Sequence, residues 1–200
     1  TLFNASFNRV ESAVLELSPE GVWTKIADIP WIVRSRQEES GRRILEVQQL
    51  REDGTFPFSS IYPLEFKDGK YGAGKAGVRP KRVDWIYAYS TANFDGAGPS
   101  VMTLTNTDRL RLDFKKGYWK TEEPYSQTPI RMTWSGRILQ AHPRIEVRYG
   151  DKGFEALYLI KNIAALGGFA QPFGIFSSGE IYRKGFNGLG LATDWKSPLT

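Results

Sequence analysis

Alternation with a period of two, cut into short runs by turn residues, constrains this chain more than any other feature of it. Val83, Trp85, Tyr87 and Tyr89 alternate with Asp84, Ile86 and Ala88, and Leu110, Leu112 and Phe114 with Arg109, Arg111 and Asp113. Ile130, Met132 and Trp134 alternate with Arg131, Thr133 and Ser135, and Ile145, Val147 and Tyr149 with Arg144, Glu146 and Arg148. Successive strand side chains point to opposite faces, so each run reads as a half-buried strand. Turn signals fall between the runs at Glu52-Asp53-Gly54, Lys67-Asp68-Gly69, Asp95-Gly96, Lys116-Gly117 and Asp151-Lys152-Gly153. Short strands joined by frequent turns make hairpins, and hence a meander, a sandwich or a barrel. A closed barrel leaves no strand edge exposed, so the expected fold is a mainly β, antiparallel barrel.

Two segments depart from that period. At the start, Phe3, Phe7, Val10, Val14 and Leu17 have helical spacing and Pro19 follows, which predicts a helix over 2–17. At the end, 184–200 carries Gly185, Gly188 and Gly190 and reads as an extended tail. No repeat, low-complexity tract or interdomain linker interrupts the stretch between. The expected organisation is therefore one barrel domain over 1–183, helix included, followed by the tail.

Composition supports strands over helices. Trp 6, Tyr 9 and Phe 12 in 200 residues suit a pleated surface, on which rings pack well. Cysteine is absent, which excludes a disulfide framework, thiolate metal ligation and a cysteine nucleophile. The one histidine, His142, sits beside Pro143 and reads as a solvated turn residue; no metal site is expected. The net charge of +5 tilts the chain toward acidic partners. Its densest basic stretch, Lys75, Arg79, Lys81 and Arg82, reads as a solvated loop or a docking patch, and no nucleic-acid motif accompanies it. No apolar run is long enough for a membrane-spanning helix. Numbering begins at Thr1, so either a leader has been removed or the sequence starts inside a longer product.

Catalytic signatures are weak. Gly69-Lys70-Tyr71-Gly72-Ala73-Gly74-Lys75 has the spacing of a phosphate-binding loop, but the next residue is Ala76 where a hydroxyl should hold magnesium. A flexible Gly-Lys loop accounts for it better. A Ser-His-Asp triad is not credible with one turn histidine. Glu38-Glu39 and Glu122-Glu123 are adjacent, and adjacent strand residues face opposite ways, so neither is a natural acid/base pair.

An ordered set of motifs is more informative. Gly21-Val22-Trp23 opens a strand; then come Arg82-Val83-Asp84-Trp85, Gly98-Pro99-Ser100-Val101-Met102, and Gly117-Tyr118 with Pro124. Tyr149 closes a strand, Glu155 lies in the next, and Phe176-Ser177-Ser178-Gly179-Glu180-Ile181-Tyr182-Arg183 follows. In order and spacing this resembles the S-type phycobilin lyases, the CpcS/CpeS chromophore lyase family, over roughly 21–183. The resemblance implies a lipocalin-like barrel with Trp23 plugging its closed end. It implies an open-chain tetrapyrrole (a phycobilin) as ligand, delivered to a cysteine of a phycobiliprotein. Trp85, Tyr149 and Arg183 would then contact the ligand, and Glu155 and Glu180 would be the catalytic carboxylates.

The chain also departs from that pattern. The family's first strand carries an arginine shortly after the tryptophan, where this chain has Lys25-Ile26-Ala27-Asp28. A later arginine-bearing strand is replaced by the uncharged Asn162-Ile163-Ala164-Ala165-Leu166-Gly167-Gly168. Guanidiniums that would hold propionates in a forked pair are thus missing. The segment 162–176 instead offers Phe169, Phe173 and Phe176 without a charge, as a buried core turn or as a contact surface for a hydrophobic partner or lipid. The expectation is a non-catalytic accessory subunit that binds antenna or photosystem subunits, peripheral to the thylakoid, in a plastid or in cyanobacterial cytoplasm. An active bilin lyase or carrier, and a generic lipocalin-like carrier of another apolar ligand, are the alternatives.

Overall fold

A computed structural model describes residues 2–4, 9–50, 58–75, 85–94, 96, 98–105, 107–125, 131–134, 137–140, 142, 144–166 and 169–198. The expectations for Gly54, Arg79, Lys81, Arg82, Val83, Asp84, Asp95, Ile130 and Ser135 lie outside them. The described residues are mainly antiparallel strand. In chain order these are β1 (Leu2–Asn4), β2 (Arg9–Leu17), β3 (Trp23–Ile29), β4 (Ile32–Gln37), β5 (Arg43–Leu50), β6 (Phe58–Lys67) and β7 (Lys70–Ala73). Then follow β8 (Tyr89–Ala92), β9 (Ser100–Leu104), β10 (Arg109–Phe114), β11 (Gly117–Pro124), β12 (Arg131–Trp134) and β13 (Arg137–Gln140). The last four are β14 (Glu146–Gly150), β15 (Gly153–Ala164), β16 (Phe176–Phe186) and β17 (Leu191–Lys196). Among the described residues no helix is long and apolar enough to cross a membrane.

The chain groups into two compact units. The first holds a sheet ordered β1-β2-β3, a sheet ordered β4-β5-β6-β7, and the hairpin β12-β13. Val10, Ile29, Ile32, Val47 and Ile61 are its buried apolar residues. Among them sits a charged cluster: Arg34 Nε donates to Glu46 Oε2 at 2.8 Å, and Arg36 Nε to Glu46 Oε1 at 3.1 Å.

The expected helix over 2–17 is instead two strands. Phe3 pairs with Val10 across β1 and β2, and Val14 pairs with Ala27 across β2 and β3. Val10 and Val14 are four residues apart, a spacing that shares a face in a helix and in a strand alike. Branching at Cβ favours the strand, and Ser12 between them is buried too, its Oγ donating to the Trp31 carbonyl at 2.6 Å. Trp23, expected as a barrel plug, is 63% exposed at the start of β3. The Gly-Lys stretch is not a loop. Asp68 and Gly69, both at positive φ, turn β6 tightly into β7, with Lys67 opposite Lys70.

The second unit contains two four-stranded meanders, ordered β11-β10-β9-β8 and β14-β15-β16-β17. Tyr149 donates its hydroxyl to the Thr91 carbonyl at 2.6 Å, and Ile145 N–H donates to the Tyr87 carbonyl at 3.2 Å, tying β14 to the start of the first meander. Ile86–Ala88, expected within a strand, forms a short 3-10 turn, and β8 begins after it at Tyr89. Leu110 and Leu112 of β10, Met102 and Leu104 of β9, and Leu157 and Leu159 of β15 are buried, as their alternation requires.

Rings from both meanders meet in this core. Phe94 lies 4.4 Å from Phe154 and 5.3 Å from Phe186, and Phe114 lies 6.1 Å from Phe186, measured between ring centroids. Such pairs add about 1 kcal/mol each beyond the area they bury. No closed barrel forms among the described residues, because β11 and β17 share no ladder. Nor does 184–200 begin an extended tail. β16 runs on to Phe186, Asn187 Oδ1 accepts from Leu189 and Gly190 N–H at 3.1 and 3.0 Å, and β17 returns alongside. Gly190 packs so closely on the Trp119 indole that a Cβ there would overlap it.

Candidate functional site

The second unit has a polar end to its core. On β16 the inward residues are Glu180, Tyr182 and Lys184, opposite Lys161, Leu159 and Leu157 of β15. Glu123 and Tyr125, at the end of β11, meet them from the other meander: the Tyr125 and Tyr182 rings stand 5.3 Å apart, edge to face. Lys161 Nζ donates to Glu123 Oε2 at 2.7 Å. Tyr182 donates its hydroxyl to Glu180 Oε2 at 2.7 Å, and Lys196 Nζ donates to Glu180 Oε1 at 2.9 Å. Both oxygens of Glu180 are thereby engaged.

Lys184 is the unusual member. It is 4% exposed, donates to Thr193 Oγ1 at 2.9 Å, and lies 4.9 Å from the Tyr125 ring and 5.7 Å from the Tyr182 ring. Two ring faces take the place of a carboxylate beside its ammonium. Burial lowers its pKa; Glu123 and Asp194 oppose that, and the like charge of Lys161 adds to it. Burial, then Glu123, pushes Tyr125 up to about 12, and burial with the Glu180 bond raises Tyr182 as well. The bond from Tyr182, then that from Lys196, lowers Glu180, and the bond from Lys161 lowers Glu123. At neutral pH the site therefore holds two paired carboxylates, two neutral phenols and a lysine whose pKa burial lowers.

The residues expected to handle a bilin are not gathered round this site or any other one. Arg183 neighbours Tyr182 on β16 and so points to the opposite face. There Arg183 meets Asp194 at 2.8 Å and Glu155 at 3.5 Å, and Glu155 also meets Arg148 at 3.2 Å. Glu155 and Glu180 thus lie on opposite faces of one sheet and cannot flank one substrate. Trp85 is buried before the 3-10 turn with its ring 5.6 Å from Tyr87, and the Tyr149 hydroxyl is spent on the Thr91 carbonyl. These residues do not fit a single tetrapyrrole pocket. Nor is His142 a solvated turn residue: it is half-buried, with Nδ1 3.3 Å from Asp108 Oδ1.

The uncharged segment forms the connection from β15 to β16. Leu166, Phe169, Phe173 and Ile175 are 85, 83, 70 and 56% exposed, whereas Ala170 between them is buried and Phe176, at the start of β16, is partly covered. A short 3-10 turn at Gln171–Phe173 ends on Gly174 at positive φ and bends the tip back into β16. Lys161, Lys184, Tyr125 and Glu123 were missed from the sequence. The available signal was the polar alternation Glu180, Tyr182, Lys184.

No protein-family model, no curated protein and no solved structure matches this chain.

Proposed function

We propose that this chain is a non-catalytic accessory subunit of the photosynthetic apparatus, a divergent relative of the S-type phycobilin lyases, which docks on an antenna or photosystem complex. The observation that carries the docking role is the apolar, uncharged tip between β15 and β16, with Leu166, Phe169, Phe173 and Ile175 all turned to solvent. Exposed aromatic side chains clustered without charge are the usual core of a protein interface. The class of partner rests on the ordered motif resemblance. The non-catalytic role is supported by the absence of a shared face for Glu155 and Glu180.

Affinity purification of the full chain from phycobilin-containing cells tests this. The wild type co-purifies with antenna or photosystem subunits, and Phe169→Asp with Phe173→Asp releases them while the far-ultraviolet dichroism is unchanged. Each fully buried phenylalanine is worth about 1.5–3 kcal/mol, so the double variant weakens binding by at least about a hundredfold. Retention of the partner by the double variant contradicts the docking role. Adding phycocyanobilin separates the alternatives: a shifted, intensified pigment spectrum supports a carrier or lyase over an accessory subunit.

A further inference from the structure

A cleft in the first unit combines exposed aromatic surface with an unpaired cation. It has a volume of about 520 Å³ and is lined by Ile26, Ala27 and Asp28 of β3, Phe66 of β6, Gly69 of the turn, and Lys70 and Tyr71 of β7. The hairpin register accounts for the aromatic wall. Phe66 stands directly opposite Tyr71, so both rings leave the same face of the hairpin, and they meet with centroids 4.8 Å apart. Phe66 is 64% exposed. Ile26 adds to the apolar lining: it is the residue left over where the β2–β3 register shifts between Val14 and Leu15, a position that re-aims a side chain. Gly69, at positive φ, brings no side chain, and a Cβ there would meet nothing within 4 Å, so the end beside the turn is open.

The charges give the cleft a sign. Asp28 lines it but is held by Lys25 at 3.0 Å. Lys70 is exposed and makes no ion pair among the described residues. It also borders a neighbouring opening of about 630 Å³, where Lys67, Lys70 and Lys75 stand against Glu65 and Asp68. Lys67 and Lys70 are directly opposite one another across the β6–β7 ladder, a like-charge pairing that destabilises the hairpin and that a bound anion would relieve.

We propose that this cleft binds a free, small amphipathic anion: a flat apolar body carrying one carboxylate, sulfonate or phosphate. Its volume falls within the roughly 300–1,000 Å³ of small-molecule sites. The body lies against Phe66, Tyr71 and Ile26, where a third ring packs on an aromatic pair and takes apolar surface out of water. The head sits at Lys70, whose ammonium makes a charge-assisted bond to it. A cation would meet Lys70 and Lys67 instead and is disfavoured. The site shares no residue with the apolar tip between β15 and β16, so it stands or falls independently of the docking role.

The test titrates the isotope-labelled full chain with naphthoate. Saturable amide shifts are expected at 26–28, 66 and 69–71, and the double variant Phe169→Asp with Phe173→Asp binds equally well. Naphthamide, of the same shape without the charge, binds about fivefold more weakly, the worth of one exposed ion pair. Lys70→Glu makes naphthylmethylammonium the preferred ligand over naphthoate, a reversal that a damaged fold cannot produce. Phe66→Ala weakens naphthoate and naphthamide alike by at least about tenfold. Both residues are exposed, so the hairpin is retained, which far-ultraviolet dichroism checks. Equal affinity for naphthoate and naphthamide, shifts elsewhere, no saturable binding, or tighter binding of the same residues to vesicles of anionic phospholipid would each overturn the proposal.

Discussion

Lys184→Met removes a buried cation and keeps most of its stem. The effective penalty for taking an ammonium out of water is several kcal/mol. Against it stand one charge-assisted bond to Thr193, worth about 2 kcal/mol, and two ring faces at 4.9 and 5.7 Å, together worth about 1–2 kcal/mol, while the attraction of Glu123 and Asp194 is set against the repulsion of Lys161. The surplus is a net cost of about 1 kcal/mol, in the direction of the lowered pKa. Thr193 is exposed, so water replaces the lost donor. The variant is therefore more stable than the wild type at pH 7, by about 1 kcal/mol. Its pH dependence is more telling. Between the lowered folded value and the ordinary 10.5, the unfolded chain holds a proton that the folded chain lacks, so wild-type stability rises with pH. Urea unfolding at pH 7, 8, 9 and 10 measures both effects, and the variant should lack this lysine's contribution to the rise. A variant less stable at pH 7, with the wild-type rise intact, would refute the reasoning.

Other perturbations test neighbouring contacts. Tyr125, pushed up to about 12, keeps its proton in the fold after the unfolded chain has lost it at 10, so between pH 10 and 12 about 3 kcal/mol of stability disappears. Alkaline unfolding of Tyr125→Phe should lack that loss; an unchanged alkaline limb counts against the burial assigned to this phenol. Gly190→Ala forces a methyl into the Trp119 ring and should cost about 1–3 kcal/mol with a change in indole fluorescence. Glu46→Gln leaves Arg34 and Arg36 without their shared carboxylate and should cost about 3–5 kcal/mol by denaturant titration. A cost under 1 kcal/mol would mean that solvent already reaches that pair.

The sequence was readable where alternation and burial agree. Leu110 and Leu112 against Arg109 and Arg111 marked β10 and its buried face, and Asp151-Lys152-Gly153 marked the turn from β14 to β15. It misled at Val10 and Val14, whose spacing suits both periods. On β16 the alternation was visible but its sense was not. Ile181 is exposed while Glu180 and Lys184 are buried, because Tyr182 and Lys196 bond Glu180, and Thr193 of β17 and the Tyr125 ring meet Lys184. Those partners depend on strand register and on one meander packing against another, and local pattern encodes neither. The Phe169 tip was legible for the opposite reason: a run without charge needs no distant partner to be recognised.

The docking role of that tip is tested most directly by photo-crosslinking. A benzoylphenylalanine placed at Phe169 of the full chain, in cells containing the photosynthetic apparatus, should join it to an antenna or photosystem subunit. The same probe at Tyr118, an exposed residue of β11, should not. Equal adducts from both positions, or none from 169, would contradict the account.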